Sequence, residues 1–216
     1  MIDFGHKAAS ILFLAVLVPT VAHAQGTASA PETGYAGLSL QFMSPTGEFR
    51  QNIGATNWGH RGGFAFNLIG PLTHSGFLSI RLDCMFGSYD KDCPGCRRLF
   101  RSVSVGPEVS VPRGWVRPYV MGEWGYLDFE SFKEANGDEA DTGAGQWIYG
   151  GGVRIQPTPA NRWLLDVGVR SHNAGTMSYL RGAGVQTDSD GTLTGDSGRS
   201  RTTFVTFVVG LQYHFK

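Results

Sequence analysis

Cys93-Pro94-Gly95-Cys96 is the first stretch whose residue types and spacing suggest chemistry, and Cys84 precedes it by nine positions. In an oxidising compartment the expected product is a disulfide. Thioredoxin-like exchange needs a βαβ setting that the surrounding pattern lacks, and zinc needs a fourth ligand that the spacing does not supply. Three cysteines leave the pairing open, with Cys93–Cys96 favoured and Cys84–Cys93 the alternative. His172, within Arg170-Ser171-His172-Asn173-Ala174, is a possible base. The neighbouring Ser171 would need a different geometry to serve as a nucleophile. His172 therefore reads as a solvated loop histidine. Asp188-Ser189-Asp190-Gly191-Thr192 and the group Asp138, Glu139 and Asp141 offer hard oxygen ligands for Ca²⁺ or Mg²⁺. No Glu closes an EF-hand loop, so solvated charge is the expectation. No catalytic residue, metal site or cofactor is expected from these groups.

A larger set of charges is distributed with a period. Arg61, Arg81, Arg117, Arg154 and Arg170 alternate with apolar neighbours, as do Asp83, Glu108, Glu123 and Asp166. In one stretch Leu78, Ile80, Leu82 and Phe86 oppose Ser79, Arg81 and Asp83. In another, Val103, Val105, Pro107, Val109 and Val111 oppose Ser102, Ser104, Gly106, Glu108 and Ser110. Period-two alternation is the signature of strands with one face buried. Eight such segments follow residue 34, at 35–43, 58–69, 77–86, 99–111, 116–129, 146–156, 163–170 and 202–215. None has a helical period. Their connections alternate strictly: 44–57, 87–98, 130–145 and 171–201 are long and polar, whereas 70–76, 112–115 and 157–162 are short. Long loops all at one end and tight turns at the other are the pattern of an outer-membrane barrel with both termini in the periplasm.

The start of the chain carries an export signal. Lys7 precedes an apolar run at 8–18, which is too short to span a bilayer as a helix, and Ala22-His23-Ala24 supplies the small-x-small cleavage pattern. Residues 1–24 are read as a signal peptide, 25–33 as a linker and 34–216 as one β domain. The 216 residues suit a single domain, and 18 basic against 18 acidic side chains give no excess pointing to nucleic acid. Glycine numbers 31 and aromatics make up 12%, as suits tightly curved strands and interfacial rings. Trp115, Trp163, Tyr213 and Phe215 fall near the short-turn ends, and Trp58, Tyr126, Trp147 and Tyr149 near the long-loop ends. Two aromatic rings at separate heights suit two membrane interfaces.

Ser44-Pro45-Thr46-Gly47-Glu48-Phe49 after the first strand, Arg117-Pro118-Tyr119-Val120 opening the fifth, and the aromatic-ended last strand resemble the small outer-membrane β-barrels of the OmpA and OmpX type. The resemblance covers 34–216. It implies an all-β, eight-stranded antiparallel up-and-down transmembrane barrel in a Gram-negative outer membrane. The implied role is structural or surface-interacting and non-enzymatic, as a monomer contacting lipid and lipopolysaccharide. Leu211, Tyr213 and Phe215 match the insertion signal read by the barrel-insertion machinery, with periplasmic chaperones as transient partners; Lys216 after Phe215 departs from it. The peptidoglycan role of longer relatives is not carried over. Eight strands leave room for packed side chains but hardly for a channel, and buried charges must be paired. Arg81, Asp83, Glu108, Arg117, Glu123, Arg154, Asp166 and Arg170 are therefore expected to form an interior network. Two other readings compete. One is a lipid-modifying barrel: Arg170-Ser171-His172-Asn173-Ala174 resembles the region around the His-x-Ser-Asn run of outer-membrane lipid A deacylases, with Ala174 where the nucleophilic serine would stand. The other is a soluble, lipocalin-like periplasmic barrel. The export signal makes a direct prediction: amino-terminal sequencing of the exported protein should begin at Gln25, and retention of residues 1–24 would refute it.

Overall fold

The computed structural model describes residues 34–52, 61–89, 96–133, 139–158, 161–180, 186–187, 193–194 and 197–215. In chain order these form β1 (Gly34–Pro45), a short helix α1 (Gly47–Asn52), β2 (Arg61–Pro71), β3 (Leu78–Tyr89), β4 (Cys96–Ser110), β5 (Val116–Lys133), β6 (Glu139–Ile155), β7 (Trp163–Leu180), a two-stranded ribbon of β8 (Gln186–Thr187) and β9 (Leu193–Thr194), and β10 (Ser197–Phe215). Strands β1 to β7 each pair antiparallel with the next, β7 pairs with β10, and β10 returns to β1 in continuous register from Gly34↔Phe215 to Pro45↔Phe204. The sheet is thus a closed, up-and-down, eight-stranded barrel. No helix among the described residues is long and apolar enough to cross a membrane.

The tight turns follow from local chemistry. Gly76 and Gly114 adopt φ of 72° and 104°, conformations that a side chain would strain. Leu72 and Thr73 N–H groups both reach the Leu78 carbonyl, at 2.8 and 3.3 Å, closing the β2–β3 connection.

Burial alternates along most of the barrel wall, and its polarity changes partway up. On β4 the outward residues Val103, Val105, Pro107 and Val109 oppose inward Ser102, Ser104, Gly106 and Glu108; beyond them, Arg101 faces outward and Phe100 is buried. On β5 outward Trp124 and Tyr126 give way to Asp128 and Glu130, while the inward series passes from Arg117, Tyr119 and Glu123 to Leu127 and Phe129. On β10 outward Val205 to Phe215 give way to Arg199 and Arg201. One portion of the wall is therefore apolar outside and polar inside, and the remainder is the reverse. Trp115 and Trp124, both exposed, are nine residues apart. At ~3.3 Å per residue and a strand tilt of ~40° the apolar portion is about 23 Å tall, close to the ~25 Å band of lipid-embedded barrels.

Two expectations are corrected. The strands run well beyond the expected ends, with β5 to Lys133, β7 to Leu180 and β10 from Ser197, so much of what reads as long loop is a tall barrel extension. The segment after β1 contains helix α1, although no helical period is visible there. Six residues are too few to display one. β7 also carries a bulge: Arg201↔Thr176 is followed by Thr203↔Asn173, placing Ala174 and Gly175 opposite Thr202 alone. This lets Ala174 and Met177 both point inward.

Three outward arginines should separate the two zones. Val209→Arg, within the apolar band, should cost ~2–4 kcal/mol and Leu211→Arg, nearer the short-turn end, somewhat less. Ser178→Arg, outward on the extension, should cost nothing measurable. Urea unfolding in lipid vesicles reads all three, and equal costs would erase the boundary drawn here.

Candidate functional site

The inward charged residues of five strands meet in the lower lumen. Arg81 Nε donates to Asp83 Oδ2 at 2.7 Å, its Nη1 donates to Glu108 Oε2 at 2.9 Å, and its Nε lies 3.4 Å from Glu123 Oε1. Arg154 Nη2 donates to the same Glu108 Oε2 at 2.5 Å, and Arg170 Nη1 to Asp83 Oδ2 at 3.1 Å. Glu123 also accepts from Ser104 Oγ at 2.6 Å. Asp166 accepts from Tyr119 Oη at 2.9 Å and Gln212 Nε2 at 2.7 Å. Toward the short-turn end, Arg117 donates to Tyr35 Oη at 2.8 Å, to Gln156 Oε1 at 2.5 Å and to the Gly114 carbonyl at 3.0 Å. Among the described residues the buried charged side chains apart from histidine are four arginines and four acidic residues, equal in number. Arginine suits this setting because its planar fork reaches two carboxylates at once.

Tyr119 is the organising neutral group. The Arg154 guanidinium lies over its ring at 4.4 Å and that of Arg81 at 5.7 Å, while Arg154 also covers Tyr35 at 5.1 Å. Its hydroxyl reaches Asp166 because the facing wall carries glycines: a Cβ on Gly152 or Gly168 would fall 2.8 or 2.7 Å from that oxygen. Tyr119, Tyr35, Gln156 and Gln212 were not among the sequence-derived network residues. Counting by two from Arg117 reaches Tyr119 and Glu123 on the same face, so the signal for Tyr119 was available.

Above the ionic layer the lumen turns apolar. Met43, Phe49, Ala65, Met85, Phe100, Leu127, Phe129, Ala174, Met177 and Phe204 form one buried cluster. Phe49 comes from α1 and meets Phe129 edge to face, with centroids 6.5 Å apart. The helix is tied to β10 through Thr46 N–H to the Thr203 carbonyl at 2.9 Å and Thr203 Oγ1 to the Thr46 carbonyl at 3.0 Å. Within the Ser44–Phe49 stretch, Phe49 therefore caps the apolar layer from inside. His172 is not the solvated loop residue expected from sequence. It is buried in β7, stacked on Phe204 at 4.3 Å and 12°, with Nε2 3.1 Å from Thr206 Oγ1. The expectation failed because β7 continues past Arg170 with His172 on its inward face.

The closed eight-stranded barrel has solved counterparts. Neisserial surface protein A superposes with a TM-score of 0.57 at 12% identity, over 84% of this chain and 97% of its own. Ail, the attachment invasion locus protein of Yersinia pestis, gives 0.51 at 12% identity, over 87% and 100%. The fold is that of the small eight-stranded outer-membrane β-barrels. No protein-family model and no curated protein matches the chain.

Within this barrel Leu211 and Phe215 face outward, Tyr213 is half-buried on the same side, and Gln212 between them is buried. Cys84 is outward, half-buried and a free thiol. Cys96 opens β4 opposite Lys133, whereas Cys93 lies outside the described residues. Arg61 opens β2. Glu139 and Asp141 belong to β6; Asp138 and 188–192 lie outside the described residues. No group of three or more His, Cys, Asp or Glu among the described residues is placed to hold a metal ion.

Glu108 bridges two arginines, so Glu108→Ala should cost ~3–5 kcal/mol by leaving buried cations uncompensated. Pairing it with Arg154→Met should recover part of that loss, because a buried pair replaced by apolar groups is often nearly neutral. Urea unfolding in vesicles measures both, and a single-variant cost below about 1 kcal/mol would deny the network its structural weight.

Proposed function

We propose that this chain is a non-enzymatic outer-membrane barrel, closed to bulk flow, whose working surface is the tall extension and its loops. The observation that carries the reading is the reversal of polarity along single strands. An outward apolar band of bilayer height, bounded by exposed tryptophans and tyrosines, is what lipid on the outside demands. A soluble lipocalin-like barrel would keep polar residues outside along its whole length. The short turns and both ends of the barrel chain then lie in the periplasm, and the extension stands outside the cell.

The ionic layer supports closure. Arg81, Glu108 and Arg154 lie across the lumen with side chains in direct contact, and Phe49 fills the upper mouth. A lipid-modifying activity would require a nucleophile and base at the outer rim, whereas His172 is turned into the lumen beneath Phe204 and position 174 is a buried alanine. The expected surface role is structural or adhesive, and the lipid of both leaflets is the constant partner. Leu211, Tyr213 and Phe215 then serve as the insertion signal, and Cys93–Cys96 as the favoured disulfide, both untouched by closure.

The test is electrical. Protein refolded into planar bilayers should show conductance at or below the detection limit, and removing the bridge with Glu108→Ala should raise it. Stable, porin-sized steps from the wild type would overturn the closed interior.

A further inference from the structure

The outward surface is uneven where the first and last strands meet. β1 presents Ala36, Leu38 and Leu40 there, flanked by Phe66 of β2 on one side and by Trp163 of β7 with Leu211 of β10 on the other. They enclose a groove of about 690 Å³. From Ala36 to Leu40 it follows β1 for roughly 13 Å at ~3.3 Å per residue. Ala36 is the small residue that opens its lower end, in register with Tyr213 on one side and Leu68 on the other. At that end Trp163 and Tyr213 meet edge to face, with centroids 5.1 Å apart. Arg162 Nη1 donates to Tyr213 Oη at 3.2 Å. Arg162 is exposed, and no carboxylate among the described residues pairs with it. An apolar furrow that ends at two amphipathic rings and an exposed guanidinium has the polarity sequence of a single lipid molecule: chain, interface, anion.

We infer that this groove binds one anionic glycerophospholipid of the periplasmic leaflet, its acyl chain along β1 and its phosphate at Arg162. The inference rests on the membrane reading above and goes beyond it, because general lipid contact requires neither a furrow nor a cation at its foot. Trp163 and Tyr213 sit where the ester region of the lipid would lie, the depth such rings favour. A basic side chain at the membrane surface contributes ~1 kcal/mol toward anionic lipid, which corresponds to about a fivefold preference over a zwitterionic lipid. The groove is open along its length, so exchange with the bilayer is expected to be fast.

Trp163 lines the groove and supplies the probe. With the other four tryptophans replaced by Phe, the protein is refolded into vesicles of unlabelled phosphatidylcholine. These are doped with brominated phosphatidylglycerol or with brominated phosphatidylcholine. Trp163 quenching should half-saturate at about fivefold lower mole fraction of the glycerol lipid. Arg162→Gln, on an exposed turn, should abolish that preference while leaving quenching itself in place. Ala36→Phe should reduce quenching by both lipids. Equal half-saturation in the parent, or a preference that survives Arg162→Gln, would leave only non-selective boundary lipid and overturn the site. Shielding of Trp163 that grows with protein-to-lipid ratio would assign the groove to a second copy and overturn it equally. Absence of quenching by either lipid would overturn the membrane reading itself, and the site with it.

Discussion

Closure of the backbone ladder is the constraint on which the rest of the molecule depends. A strand facing hydrocarbon cannot leave N–H or C=O groups unpaired, and an open sheet always has two edges. The seam between β1 and β10 removes both edges, with twelve successive residues of β1 matched to β10. Closing eight strands fixes a narrow lumen. Alternation then assigns every second residue to that lumen whether or not it is apolar. The polar residues excluded from the outer surface must satisfy one another inside. That is why Glu108 serves two arginines and Asp83 serves Arg81 and Arg170. Removing one partner is costlier than the pair is valuable, since the survivor remains in a poorly polarisable environment.

Solvent changes along the barrel axis, and the side chains change with it. Where the outside is apolar the inside holds the ionic network beside smaller apolar clusters; where the outside carries Arg101, Asp128 and Glu130, the inside carries Phe100, Leu127 and Phe129. The upper part is built like an ordinary water-soluble barrel, stabilised by apolar burial, which the lower part cannot use in the same direction. Such a core needs its open end covered, and α1 covers it by inserting Phe49. Gly87 serves the same layer, because a Cβ there would overlap the ring of Phe100. His172 stands at the junction, with Phe204 on its ring face and Thr206 on its nitrogen, so one residue belongs to both layers.

The sequence was legible where one rule held over many residues. Period-two alternation located all eight barrel strands, the faces of β3, β4, β7 and β10, and the inward direction of Arg81, Glu108 and Arg154. It became illegible where the rule reversed. Past Arg170 the inward residues are His172, Ala174 and Met177 and the outward ones Thr176 and Ser178, so a search for apolar-out strands stops early. The bulge at Ala174–Gly175 then shifts the count by one, which hides the continuation. Helix α1 was hidden for a different reason. It is a single turn and a half held by Thr46, Thr203 and Phe49, contacts that join residues 157 positions apart in the case of the two threonines. The partners of Arg117 among the polar aromatics and amides depend on barrel stagger, which alternation within one strand does not encode.

A two-layer wall also explains where variation can be accommodated. From Tyr126 to Lys133 β5 rises a further seven residues, roughly 18 Å of height at the tilt used above. The loops therefore leave from a folded rim well clear of the lipid headgroups. The rim has its own apolar core, so changes in the loops that surmount it do not reach the ionic layer or the bilayer seal. Conversely, the lower wall has less freedom, because its outward residues must suit lipid and many of its inward ones belong to the ionic network. On the proposed reading, recognition of other molecules falls to two places. One is the outer rim with its loops; the other is the shallow relief of the lipid-facing surface, where a small residue such as Ala36 changes the contour without disturbing a buried charge.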